Sequence, residues 1–98
     1  MPSTKNMQIT FIGGGNMARS LIGGLISAGT PVQHISVAEP CSETRTALYA
    51  DFGVSIFSEN TAAAEQADVL ILAVKPQVLS EVLTPLAGLI TTNKPLLI

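Results

Sequence analysis

Ile9-Thr10-Phe11-Ile12-Gly13-Gly14-Gly15-Asn16-Met17-Ala18 is the stretch on which the reading of this chain turns. A short apolar run is followed at once by three glycines and then by residues that begin a helical pattern. The spacing Gly13-x-Gly15-x-x-Ala18 is that of a dinucleotide-binding turn, in which a strand gives way to a helix beside a pyrophosphate. Gly13 lets the chain leave the strand through dihedrals closed to other residues. Gly15 lets the backbone approach the phosphates, and Ala18 keeps the new helix close to the strand. The amides of Asn16 and Met17 open that helix. They have no partner within it and carry the positive end of its dipole, so they suit an anion.

Outward from this turn, strand and helix signals alternate. Met17, Leu21, Ile22, Leu25 and Ile26 recur at helical spacing and predict a helix of about three turns with an apolar stripe, stopped at Gly29-Thr30-Pro31. Ile35 to Ala38 predicts a second strand ending at Glu39-Pro40. Ser42 is a candidate N-cap for a second helix carrying Ala47, Leu48 and Phe52 and closed by Gly53. Val54 to Phe57 predicts a third strand, and Asn60 a cap for a short helix over 61–67. Asp68 to Val74 is apolar at successive positions, as in a strand buried on both faces of a parallel sheet. Lys75-Pro76 then opens a helix with Val78, Leu79, Val82 and Leu83 as its stripe, and Pro85 is expected to end or kink it. Leu96-Leu97-Ile98 predicts the start of a fifth strand.

The expected class is therefore α/β: a Rossmann-type, doubly wound parallel sheet, truncated at the fifth strand. In such a sheet ligands bind beyond the carboxyl ends of the strands where strand order reverses. That rule selects Gly13 to Ala18, Glu39 to Ser42 and Ala73 to Gln77 as site segments.

Composition bounds the partners. The chain has 98 residues, 47% hydrophobic and 12% charged, against roughly 25% charged in an average soluble protein. Five Lys and Arg against seven Asp and Glu give a net charge of −2, with no basic run or aromatic-basic interleaving. Nucleic acid is not expected as a partner. No apolar stretch reaches the ~18 residues of a membrane span, and the first seven residues lack the apolar centre of a signal peptide. The lone Cys41 cannot form an internal disulfide and fits a cytoplasmic location. His34 reads as a surface or turn residue. No metal cluster, paired carboxylate or serine-histidine-acid set can be assembled.

Glu39 stands 26 positions after Gly13, near the ~20 expected of the carboxylate that accepts the ribose hydroxyls of NAD. Arg45 follows closely and is able to pair with the extra phosphate of NADP. Both cofactors stand at this point. Ala73 and Val74 are able to wall a nicotinamide, with Lys75 as a nearby cation.

Phe11 to Ala18 followed by Leu21-Ile22-Gly23-Gly24-Leu25, together with Leu72-Ala73-Val74-Lys75-Pro76-Gln77, resembles the amino-terminal part of pyrroline-5-carboxylate reductases over residues 7–98. The resemblance implies an oxidoreductase of proline biosynthesis that reduces a small-molecule imine, 1-pyrroline-5-carboxylate, to L-proline with NADPH or NADH. It implies cofactor contacts at Ile12, Gly13, Gly14, Gly15, Asn16, Met17, Ala18, Glu39, Asn60, Ala73, Val74, Lys75 and Pro76. Glu39 departs from the small polar residue common in NADP-preferring relatives. The resemblance further implies that residues 1–98 are the cofactor domain alone. A carboxyl-terminal helical domain would build the homo-oligomer and supply the imine pocket, and no catalytic side chain is expected in this part. A related hydroxy-acid or imine dehydrogenase, and a non-catalytic nucleotide-binding module, are the alternative readings.

Overall fold

Side chains alternate across a strand, so a strand buried on both sides must be apolar at every position. The first strand, β1 (Ile9–Ile12), is apolar at three of its four positions and is buried throughout. In the computed structural model, which describes residues 7–98, Ile9 and Phe11 join one core and Ile12 joins another. Thr10 is only 2% exposed, and its hydroxyl donates to the Ala63 carbonyl at 2.9 Å. Its burial leaves no orphaned polar group.

The remaining strands are β2 (Ile35–Ala38), β3 (Ser55–Phe57), β4 (Val69–Leu72) and β5 (Leu96–Leu97). All pair in parallel, in the order β3-β2-β1-β4-β5. Ile12 is in register with both Ala38 and Leu72. The carboxyl ends of the three central strands are therefore level, and strand order reverses between β1 and β4. This is the doubly wound parallel sheet expected from the sequence.

Among the described residues four α-helices cover the two faces: α1 (Asn16–Ser27), α2 (Ser42–Phe52), α3 (Asn60–Ala64) and α4 (Leu79–Asn93). Ala18 and Ile22 of α1 and Leu48 of α2 pack with Phe11, Ile35 and Val37. On the other side Ala63 and Ala64 of α3 and Leu86 of α4 pack with Ile12, Ala38 and Leu70. Among the described residues no helix is long and apolar enough to cross a membrane.

Several local expectations are corrected. The stripe of α1 is Ala18, Ile22, Leu25 and Ile26, whereas Met17 and Leu21 are 57% and 44% exposed. At 100° per residue, a stripe centred on Ala18 and Ile22 turns the ridge one position earlier toward solvent. Ser42 does not cap α2: Cys41 is at the N-cap, and no side chain closes that end. Asn60 is likewise the first residue of α3, preceded by Glu59 at an N-cap without a side-chain bond, and α3 ends at Ala64 rather than at residue 67. Val54 is buried but precedes the pairing of β3, and the ladder of β4 stops at Leu72.

Pro85 ends nothing. It sits inside α4, which continues to Asn93. Proline removes one backbone donor and crowds the preceding turn. Leu86, Leu89 and Ile90 nonetheless pack against the second core, and that contact holds the helix through the break. Val78 lies in a 3-10 turn over Pro76–Val78 ahead of α4 and is exposed. The buried line of α4 passes through Leu86, with Val82, Leu89 and Ile90 partly buried beside it.

Candidate functional site

The level strand ends are tied together by backbone bonds. The Gly13 amide donates to the Ala38 carbonyl at 2.8 Å, and the Ala73 amide donates to the Ile12 carbonyl at 2.8 Å. The three glycines differ in what they do. Gly13 has φ +101°, and a Cβ there would lie 2.4 Å from the Ala73 carbonyl oxygen. Its lack of a side chain is required by the path of the backbone and by the close approach of the turn after β4. A Cβ on Gly14 would meet the Leu48 side chain at 2.7 Å, while around Gly15 nothing lies within 4 Å. The space beside Gly15 is a cradle that a side chain would begin to fill.

Gly15 is the N-cap of α1 and offers no side chain to its amides. The Arg19 amide donates to the Gly15 carbonyl at 3.0 Å. The amides of Asn16, Met17 and Ala18, which precede it, have no carbonyl partner in the helix. A 12-residue helix thus presents unpaired donors and its positive end beside open space, which suits an anion.

These parts converge on a cavity of about 420 Å³, within the range of roughly 300–1,000 Å³ of small-molecule sites. Ile12, Gly13, Gly14 and Gly15 line it from β1 and its turn, and Ala38, Glu39 and Pro40 from the end of β2. Asn60 lines it from the start of α3, and Ala73, Val74 and Lys75 from the turn after β4. Of the sequence-derived site residues, Asn16 and Met17 are exposed at the helix start, and Ala18 is fully buried in the core. Pro76 opens the 3-10 turn and lines a neighbouring groove instead.

Four lining residues were absent from that set: Ala38, Pro40, Val78 and Val82. Pro40 falls in the segment selected after β2. Val78 and Val82 have the helical spacing of core residues, and periodicity cannot separate a cavity wall from a core contact.

Glu39 is the most engaged side chain of the site. One carboxylate oxygen accepts from the Gly14 amide at 2.9 Å and the other from the Cys41 amide at 2.9 Å. The Arg45 guanidinium turns to the carbonyls of Glu39 and Pro40 at 2.8 and 2.9 Å. Together they hold the turn after β2 against the glycine turn, which also explains why the start of α2 needs no side-chain cap from Ser42.

Cys41 is exposed beside this staple. The Thr44 side chain, helped by the amides of Thr44 and Glu43 at the start of α2, favours the thiolate and lowers its thiol pKa below the ordinary value. His34 lies in a 3-10 turn before β2, at the opposite end of that strand from the cavity, and its Nδ1 is buried without a hydrogen-bond partner. Among the described residues no group of three or more His, Cys, Asp or Glu is placed to hold a metal ion.

Comparison with known proteins yields concordant matches. The profile of the family described as "NADP oxidoreductase coenzyme F420-dependent" matches residues 8–96. The pyrroline-5-carboxylate reductase of Vibrio alginolyticus is 42% identical over 90 residues, which is 92% of this chain and 33% of that protein. The solved structure of a pyrroline-5-carboxylate reductase from Coxiella burnetii superposes with a TM-score of 0.89 at 36% identity, covering 93% of this chain and 34% of the other. A pyrroline carboxylate reductase of Plasmodium falciparum, solved with NADP bound, has the same fold at a TM-score of 0.78 and 23% identity, covering 97% of this chain and 33% of the other. The chain spans about a third of the length of the curated relatives it matches.

Proposed function

We propose that this chain, which belongs to the family described as "NADP oxidoreductase coenzyme F420-dependent", is the dinucleotide-binding domain of a pyrroline-5-carboxylate reductase. The observation that carries the reading is the meeting of two sequence motifs at one cavity. The turn from Gly13 to Ala18 and the segment from Ala73 to Lys75 are about 60 positions apart in the chain and are joined here by β1–β4 pairing. In combination they resemble the pyrroline-5-carboxylate reductases. The high identity to reductases bearing that name supports the same reading.

In this proposal the cofactor is NAD(P)H, and the residues present fit it. Open space at Gly15 and the unpaired, exposed amides of Asn16 and Met17 receive the pyrophosphate. Glu39 meets the adenosine ribose. Ile12, Ala73 and Val74, with Val78, form an apolar wall, and Asn60 and Lys75 complete the contacts. When bound, the cofactor supplies the hydride. The chain orients it and excludes water from one side. That hydride would reduce the imine carbon of 1-pyrroline-5-carboxylate, with a proton taken up at the ring nitrogen, to give L-proline. In this reading the imine pocket and the contacts of a homo-oligomer belong to the two thirds of the relatives' length that this chain does not span. We place the enzyme in the cytoplasm, acting on a small molecule and without a nucleic-acid partner.

The test is reduction of 1-pyrroline-5-carboxylate followed by NAD(P)H absorbance, using this chain within a protein of its relatives' full length. Imine-dependent oxidation of the cofactor is expected, and its loss on Gly15→Val. Cofactor binding without any turnover of this imine would remove the reductase assignment and leave only the dinucleotide site.

A further inference from the structure

Glu39 and Arg45 left the choice between NAD and NADP open in the sequence, and their geometry bears on it. We propose that this site discriminates against the 2′-phosphate and prefers NAD(H), with Glu39 as the discriminating residue and Arg45 as a positioning residue. The inference rests on the dinucleotide reading above and deepens it.

Three observations carry it. The Glu39 carboxylate lines the cavity at the end of β2, where the ribose hydroxyls of a dinucleotide are met. It is held in place from both sides, by the Gly14 and Cys41 amides. Turning it away would leave both amides without that acceptor, so it does not yield easily to an incoming phosphate. Each oxygen has spent one lone pair on an amide and keeps another for a ribose hydroxyl. The same held charge repels a phosphate bearing about −1.5 to −2.

The cations do not offset this. Among the described residues they are Arg19, Arg45, Lys75 and Lys94. Arg19 is paired with Asp51 and stands over the Phe52 ring. Arg45, the nearest in sequence, points its guanidinium at the Glu39 and Pro40 carbonyls. Lys75 follows β4, on the far side of β1 from Glu39, where the two strand ends are about 10 Å apart. Lys94 caps the distant end of α4. The one cation beside Glu39 therefore has its Nη1 donors engaged by backbone carbonyls, and the others stand at other elements.

The experiment is a titration of the chain with NADH and with NADPH at low salt, read by nicotinamide fluorescence, with ADP-ribose and its 2′-phosphate as probes of the adenosine half alone. NADH is expected to bind at least ~10-fold more tightly than NADPH, with the same order for the two probes. Raising the salt narrows the gap through screening. Glu39→Gln removes the charge and keeps an amide oxygen as acceptor, and is expected to shrink the ratio by weakening NADH while sparing NADPH. Arg45→Ala weakens both cofactors alike. Equal or tighter binding of NADPH by the unaltered chain overturns the proposal without touching the dinucleotide reading, as does a loss confined to NADPH on Arg45→Ala. Binding of neither cofactor removes the dinucleotide reading and this inference with it.

Discussion

The turns that leave β1 and β4 do the same job in different materials. Each carries the chain from a central parallel strand to a helix at the edge of one cavity, and each lines that cavity. After β1 three glycines run directly into α1. After β4 Lys75 stays extended at φ −66° and ψ 145°, Pro76 starts a 3-10 turn, and only then does α4 begin. The first turn works by having no side chains, so that backbone amides face open space. The second works through its side chains, with Val74, Val78 and Lys75 forming the opposite wall. A site with one bare wall and one clothed wall suits a ligand with a charged, backbone-bound middle and a flat apolar end.

That contrast is open to direct attack. Gly13 should be the most costly position of the first turn, because its positive φ and the Ala73 carbonyl 2.4 Å from a built Cβ act together. Gly13→Ala is expected to destabilise the chain by about 3 kcal/mol, measured by urea unfolding. A loss below about 1 kcal/mol would show that the turn after β4 can yield, and that the two turns are less tightly locked than the geometry indicates. Gly15→Ala should separate ligand from fold. With nothing within 4 Å of the added Cβ, stability falls by less than about 1 kcal/mol. Cofactor affinity is expected to fall on the order of tenfold, or about 1.4 kcal/mol. Unchanged affinity would mean that the bare wall is not where the pyrophosphate lies.

The clothed side has smaller predicted effects. Pro85→Ala restores a backbone donor inside α4 and is expected to raise stability by about 1 kcal/mol, read from the denaturation midpoint. A decrease would show that the proline ring itself contributes packing. Pro76→Ala frees the unfolded chain at a position already compatible with proline. It should lower stability by about 0.4–1 kcal/mol while leaving the wall residues in place. A drop in cofactor affinity larger than that in stability would move Pro76 from the turn to the site.

Much of this was legible from residue order. The glycine turn, the doubly apolar β4 and the regular alternation of elements all rest on local periods, and a five-stranded parallel sheet was found where they predicted it. Glu39, Asn60 and the segment from Ala73 to Lys75 were selected from sequence and do line one cavity. The misreadings share a cause. Ser42 and Asn60 have the chemistry of helix caps, but the caps are at Cys41 and Glu59. At α2 the reason is visible, because the Glu39 staple and Arg45 organise the preceding turn from outside the helix. Met17 and Leu21 have helical spacing, yet the phase of α1 is set by Ala18 against Phe11 and Val37. Pro85 carries a strong stop signal, and packing of Leu86 and its neighbours overrides it.

The sequence by itself determined that this chain must turn without side chains at Gly13, bury a strand on both faces and bring a helix start to a place fit for a phosphate. Those are consequences of backbone freedom and of apolar periods of two and 3.6, which act within a few residues. Tertiary structure alone decided which carboxylate oxygen meets which amide, where Arg45 points, and whether Val78 and Val82 wall a cavity or fill a core. Such choices join residues from separate strands, and they are settled by level strand ends and by the need of every buried donor and charge for a partner.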